Sequence, residues 1–377
     1  MLNVVSRARV LALLGLLAYA PLAPSQTIEI YAGGAKFRNT PGQEMPVIPT
    51  AVTIGPDGMV YVSDAYKGRL IRFDPVTGTA TALPGLDPEP PFGNAPPDFD
   101  FSADALAMNP AGELYGATWE QMFRIDIQEG TRQFLTGDSW STGVSGQMTF
   151  DANGNLYYLK RNNAIYSDTN LFRRSVPWGY PEQLIRGDDY NFHGDGGPLG
   201  WAGMSHARGV TLDAQGNLYI ADTGANRIRK ITTINGEINR EESIITTVAG
   251  NGQWYSYDEN VPATSTGLAS PEALAVDAAG NLYIHERGQN RVRRVSAVDG
   301  TISTYVGNGP WGYTGDGGPA VDAHIDLVFG NIALDTASNL YLAEMGANRL
   351  RRVNAATGII ETVLGNGTMT FCTEAAP

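Results

Sequence analysis

Three charged residues, Asp104, Arg208 and Glu272, stand at one and the same offset, five residues ahead of a turn whose wording recurs along the chain, yet none belongs to that wording. Charged residues that differ between otherwise like units are where a site is grafted onto a repeating scaffold; the alternative is a set of charges neutralising one another around water. An arginine among carboxylates would bridge at least one, and a ligand carboxylate or a metal would join or displace that bridge. His206, two residues before Arg208, would stand close by.

The chain has four histidines, of which His193, His206 and His324 lie between repeat units and His285 adjoins Glu286. Zinc would need imidazoles converging on one face, and no short fixed spacing imposes that. Asp195 and Asp316 each sit in a Gly-Asp-Gly-Gly-Pro run, where a carboxylate either joins oxygen ligands for calcium or ties a tight turn. A divalent metal, calcium or zinc, is therefore the one cofactor with candidate residues, namely Asp195, Asp316 and His285. There is no phosphate loop, dinucleotide fingerprint or assignable nucleophilic triad.

The elements that must position these residues are copies of one unit. In Arg208–Gly252, alternating apolar residues flank the turn Asp213-Ala214-Gln215-Gly216-Asn217, a second turn follows Asp222, and two further strand-like runs lead to Gly250. That reads as four antiparallel strands. Glycine near the end of the first turn supplies the positive φ of a bulged hairpin. Six copies follow one another, each with a tyrosine at the same place: Tyr61, Tyr115, Tyr157, Tyr219, Tyr283 and Tyr341. Four-stranded units that cannot bury both faces alone stack radially, so the fold class is all-β, a six-bladed β-propeller of four-stranded antiparallel blades.

Asp-x-x-Gly-Asn-Leu-Tyr followed by Gly-Ala-Asn-Arg and a Val-Ala-Gly-Asn-Gly ending, with the Gly-Asp-Gly-Gly-Pro runs between units, resembles the bacterial NHL-repeat propellers over about residues 27 to 367. The likeness is strong in the last three blades and weak in the second and third. It implies a propeller used as a binding platform; the same architecture also hosts lyases and lactonases.

Acidic residues three after the tyrosine, Asp64, Asp222, Glu286 and Glu344, are expected to accept backbone N–H bonds at the turn. The pairs Arg227/Arg229, Arg291/Arg293 and Arg349/Arg351 alternate along third strands and are expected to reach carboxylates of a neighbouring blade. The strand-like run Thr27–Gly34 precedes the first blade, and ring closure beside the last blade is the economical place for it. Long segments join the blades and carry Trp140, Trp201, Trp254 and Trp311, aromatic anchors suited to a binding face.

Arg7 and Arg9, the apolar run Val10–Ala20 and small residues to Ser25 read as a secretory signal peptide, giving residues 1–25 leader, 26–367 propeller and 368–377 tail. The run is too short for a comfortable membrane span, so no stable anchor is expected. The net charge of −13 becomes −15 without the leader, which argues against nucleic acid as a partner. The single cysteine, Cys372, allows no internal disulfide. The leading expectation is an exported, secreted or periplasmic platform that binds a protein, glycan or other extracellular ligand without chemistry; the alternative is a metal-assisted lyase or hydrolase at the channel mouth.

Overall fold

The computed structural model describes residues 27–32, 35–41, 47–64, 69–82, 103–118, 121–129, 131–135, 144–161, 169–176, 179–187, 192–327 and 330–367. The leader, the tail with Cys372, and Trp140 lie outside them.

The chain is all-β, with six sheets following one another in sequence. Blade four shows the unit: Gly209–Leu212, Leu218–Asp222, Arg227–Ile231 and Ile245–Ala249 run antiparallel in that order. Both faces of such a blade are apolar because it packs between two neighbours. Ile220 and Leu218 meet Leu171 and Leu184 of blade three, while Tyr219 and Ala221 meet Leu282 and Ile284 of blade five. This is why the alternation in the sequence is incomplete on the second strands, which are buried throughout.

The repeated tyrosine and the repeated turn aspartate are one device. Asp213 accepts the backbone N–H groups of Gln215 and Asn217, and its other oxygen takes the Tyr219 hydroxyl at 3.2 Å. Asp151 with Tyr157, Asp277 with Tyr283 and Asp335 with Tyr341 repeat the bond. Blade two departs from the repeat wording and reaches the same end with Asn109 holding the turn and Glu113 binding Tyr115. Burial, followed by the nearby Asp335, raises the Tyr341 phenol to about 12, so it remains a donor.

Two expectations are corrected here. Thr27–Ala32 does not lie beside the last blade: it pairs in parallel with Thr79–Ala82, the outer strand of blade one, and Ala35–Pro41 adds beyond it. Blade six is Ile332–Leu334, Leu340–Glu344, Arg349–Val353 and Ile360–Leu364. Blades one and six meet by packing, with Val47, Val52, Val62 and Ile71 against Tyr341, Ala343, Leu350 and Leu364. Nor are all blades four-stranded, because connecting segments add short strands: Gly203–Met204 on blade three and Val261–Pro262 on blade five. Val261–Pro262 pairs with the outer strand of the blade it leads into, and single bridges Pro198 to Ile244 and Pro319 to Ile359 do the same at blades four and six. The connections thereby cover outer edges that would otherwise offer unpaired backbone.

Candidate functional site

The third-strand arginines bond to carboxylates of their own blade and to the connecting segments, not to carboxylates of a neighbouring blade as the alternation suggested. Arg229, fully buried, places Nη1 3.4 Å from Asp222 and Nε 3.0 Å from Asp195 of the segment leading into that blade. The second Asp195 oxygen accepts the Thr247 N–H. Arg351 repeats this with Glu344 at 3.5 Å and with Asp316, which also takes the N–H and hydroxyl of Thr362. In blade five Glu259 stands where the aspartate would, 3.7 Å from Arg293 and bonded to Thr304. A charged bond at each step thus fastens the connecting segment across the second, third and fourth strands.

The metal reading of Asp195 and Asp316 is answered by these bonds: both oxygens of each are engaged by arginine and threonine groups. His285 is buried between blades, and neither ring nitrogen has a hydrogen-bond partner. Burial, then the charge of Arg287, holds its pKa down at about 3. The other histidines scatter: His193 Nδ1 lies 2.9 Å from the Trp201 carbonyl and His206 Nδ1 3.1 Å from Ser205 Oγ, while His324 sits against Gly312. Among the described residues no three His, Cys, Asp or Glu side chains form a group that could hold a metal ion.

The turn carboxylates bind backbone as expected in three blades, but to the segment ahead of the first strand and not to their own turn, while Glu344 faces Arg351 at 3.5 Å. Asp64, Asp222 and Glu286 accept the N–H groups of Ile48, Ser205 and Ala269. Asp222 is nevertheless pushed up to about 6, burial outweighing the Ser205 bond and Arg229, and burial lifts Glu344 further, to about 8.

Among the residues expected at the mouth, Arg208 Nε lies 3.5 Å from Glu272 Oε1, and Arg287 Nη1 lies 3.3 Å from the same oxygen. The sequence reading paired Arg208 with a carboxylate; Arg287, in the turn after the second strand of blade five, went unnoticed because the count ran along first strands only. Arg208 is held below the usual guanidinium value, first by burial and, against the pull of Glu272, by Arg161 and Arg287. Asp104 occupies the corresponding place in blade two, where its N–H donates to the Ala117 carbonyl and its side chain is exposed. His206 has a positive φ of 52° and faces the turn at Gly224 in its own blade.

One side chain spans the axis. Gln147, on the first strand of blade three, sends Nε2 to the Leu274 carbonyl at 2.9 Å and to Asn331 Oδ1 at 2.7 Å, while its Oε1 accepts the Leu274 N–H. One side chain thus ties blades three, five and six. Gly146 makes this possible: a β-carbon there would stand 1.8 Å from the Arg208 carbonyl oxygen, and the Gln147 N–H donates to that oxygen.

The tryptophans divide. Trp254, Tyr255 and Tyr257, all more than half exposed, run edge to face with centroids 5.5 and 6.0 Å apart, and Trp254 Nε1 points to Ser270 Oγ. Trp311 and Tyr313 stand exposed on the next segment, Tyr313 under Arg349. Trp201 is exposed elsewhere, at the outer rim of blade four beside Arg240, whose carbonyl accepts the Gly200 N–H.

Comparison with known proteins agrees on architecture. A β-propeller fold is shared with the auxiliary nutrient binding proteins of Bacteroides thetaiotaomicron (TM-score 0.57, 13% identity, 83% of this chain and 69% of that one) and Bacteroides ovatus (TM-score 0.56, 14% identity, 84% and 70%). The likeness is one of fold. No family model matches the chain. Teneurin-1 of Homo sapiens is 29% identical over 198 residues, which cover 49% of this chain and 7% of that protein, so the chain spans a small part of the curated relatives it matches. No helix among the described residues is long and apolar enough to cross a membrane.

Proposed function

We propose that the protein is a binding platform that receives a ligand on the face where the connecting segments and the turns between second and third strands emerge. The observation that carries this reading is the run Trp254–Tyr255–Tyr257, three large aromatic side chains left exposed on a segment that Glu259, Arg291 and Arg293 fasten to blade five. Exposed aromatics on a fixed backbone bind with little ordering cost, and contact area of this kind supplies most of the affinity of an interface. Similarity in fold to nutrient binding propellers is consistent with the reading, as is the leader-like text of residues 1–25, which would place the platform outside the cytoplasm.

Printed arrays of glycans and of extracellular proteins, probed with the wild type and with Trp254→Ala/Tyr257→Ala, test it. The expected result is at least one array ligand whose binding is lost in the double variant while its melting temperature stays within about 2 °C of the wild type, the behaviour of exposed contact residues. Equal binding by both proteins to every ligand retained, or no ligand retained by the wild type, counts against it.

A further inference from the structure

The mouth carries more positive charge than the fold requires. Arg161, Arg208 and Arg287 come from three successive blades, and the repeat demands arginine at none of these positions. The counterparts of Arg161 and Arg287 in blades four and six are Thr223 and Met345, and the counterpart of Arg208 in blade six is Gly330. Arg208 and Arg287 converge on one oxygen of Glu272, whose side chain is only 7% exposed, while about a third of each arginine side chain stays open, 30% and 36%. Gln147 crosses the axis from blade three to blades five and six and ties their first strands together.

We infer that Arg208 and Arg287, joined on Glu272, with Arg161 at the second-strand end of the preceding blade, form an oxyanion site, which takes the carboxylate or phosphate group of a small ligand at the channel mouth. The inference deepens the platform reading and rests on the same face. Like charges crowded in a half-buried setting repel one another, and the carboxylates of Glu272 and of Asp104 in blade two offset only part of the charge of three arginines. Guanidinium forks match oxyanions with paired N–H donors, and Glu272 keeps two of them oriented before any ligand arrives. In a chain of net charge −13 a local excess of arginine also stands out against a surface that repels anions in general, which favours a site of defined geometry over diffuse attraction.

Thermal melts of the purified protein in citrate and in inorganic phosphate, with sodium chloride making ionic strength equal, read the site directly. The wild type is expected to gain about 2–4 °C at ten times the dissociation constant. A response to citrate alone assigns a carboxylate ligand, to phosphate alone a phosphoryl ligand, and to both a general oxyanion site. Arg161→Gln and Arg287→Gln are expected to weaken binding about tenfold, and Glu272→Gln to strengthen it by a similar factor, since it frees guanidinium donors. A purely structural salt bridge would not give that gain. Should Glu272→Gln fail to fold, the exposed Arg161 still decides. No response of the wild type beyond the chloride control, or an unchanged response in both arginine variants, overturns the site. Trp254→Ala/Tyr257→Ala is expected to keep the citrate or phosphate response, so failure of the aromatic surface and failure of the oxyanion site are read separately.

Discussion

Gln147 Nε2 donates to Asn331 Oδ1 at 2.7 Å across 184 residues of sequence, joining blade three to blade six. With the two Leu274 bonds it makes this glutamine a cross-tie over the axis. Replacing it by alanine leaves the buried Leu274 N–H and carbonyl without the glutamine partner, while Asn331 Oδ1 keeps the Ile332 N–H. Each stranded group costs about 1–3 kcal/mol. Gln147→Ala is therefore expected to lose about 2–4 kcal/mol in denaturant unfolding, and an unchanged midpoint would mean water replaces the tie at no cost.

Two arginines that look alike in the sequence are expected to differ when removed. Arg229 is fully buried between Asp222 and Asp195, so Arg229→Ala strands a buried carboxylate and is expected to cost about 3–5 kcal/mol. Arg208 is 30% exposed and shares Glu272 with Arg287, which remains in its absence. Arg208→Ala is expected to stay within about 1 kcal/mol of the wild type. Melting both variants in one buffer checks the order, and a larger drop for Arg208 would reverse the assignment of fastener and mouth residue.

Stability depends on pH through buried groups, of which Glu344 and His285 shift furthest; Asp222, raised to about 6 by burial, acts in the same sense as Glu344. Glu344 titrates at about 8 when folded, against 4.5 for the free side chain, so the folded state keeps a proton that the unfolded state releases, and stability falls as pH rises from 4.5 through 8. Arg351, Asp316 and Asp326 are the charged groups that act on it. His285 titrates at about 3 rather than 6.5; the unfolded chain takes up a proton the folded one refuses, and stability falls as pH drops below 6.5. Each slope approaches about 1.4 kcal/mol per pH unit within its window. Unfolding midpoints from pH 4 to 9 should show Glu344→Gln flattening the alkaline limb and His285→Leu the acid limb. Limbs that persist unchanged in the variants would assign the dependence to other groups.

The blade count, the second-strand tyrosines and the turn geometry were legible because they rest on contacts within a few residues that recur six times. Tyr219 lies six residues from Asp213, and the same spacing returns in three other blades. Asp195 was misjudged as a metal or turn residue because its partners, Arg229 and Thr247, lie 34 and 52 residues away. Gln147 carried no signal at all, since it occurs once and its role depends on ring closure. The mouth was half legible: counting along first strands found Arg208 and Glu272, but Arg161 and Arg287 approach from second-strand ends, a relation only the packing of adjacent blades creates. The leading strand was placed beside the wrong blade because its text resembles every fourth strand equally.

Ser338 stands where five other blades have glycine. Gly58, Gly112, Gly154, Gly216 and Gly280 have φ between 77° and 85°, and Ser338 is forced to 62° by the same turn, its N–H donating to the Asp335 carbonyl at 2.9 Å. A residue with a β-carbon loses energy in this left-handed region that glycine does not. Part of that gain is returned, because glycine also widens the range of conformations open to the unfolded chain. The balance favours the native turn, and Ser338→Gly is expected to stabilise the protein by about 0.5–1 kcal/mol. Gly216→Ala in the same assay should destabilise by a similar or larger amount, since it creates in blade four the strain that Ser338 already carries in blade six. Matching shifts of opposite sign would tie both effects to one backbone torsion, whereas a loss of stability in Ser338→Gly would mean that the serine side chain supplies more to the last blade than its φ costs.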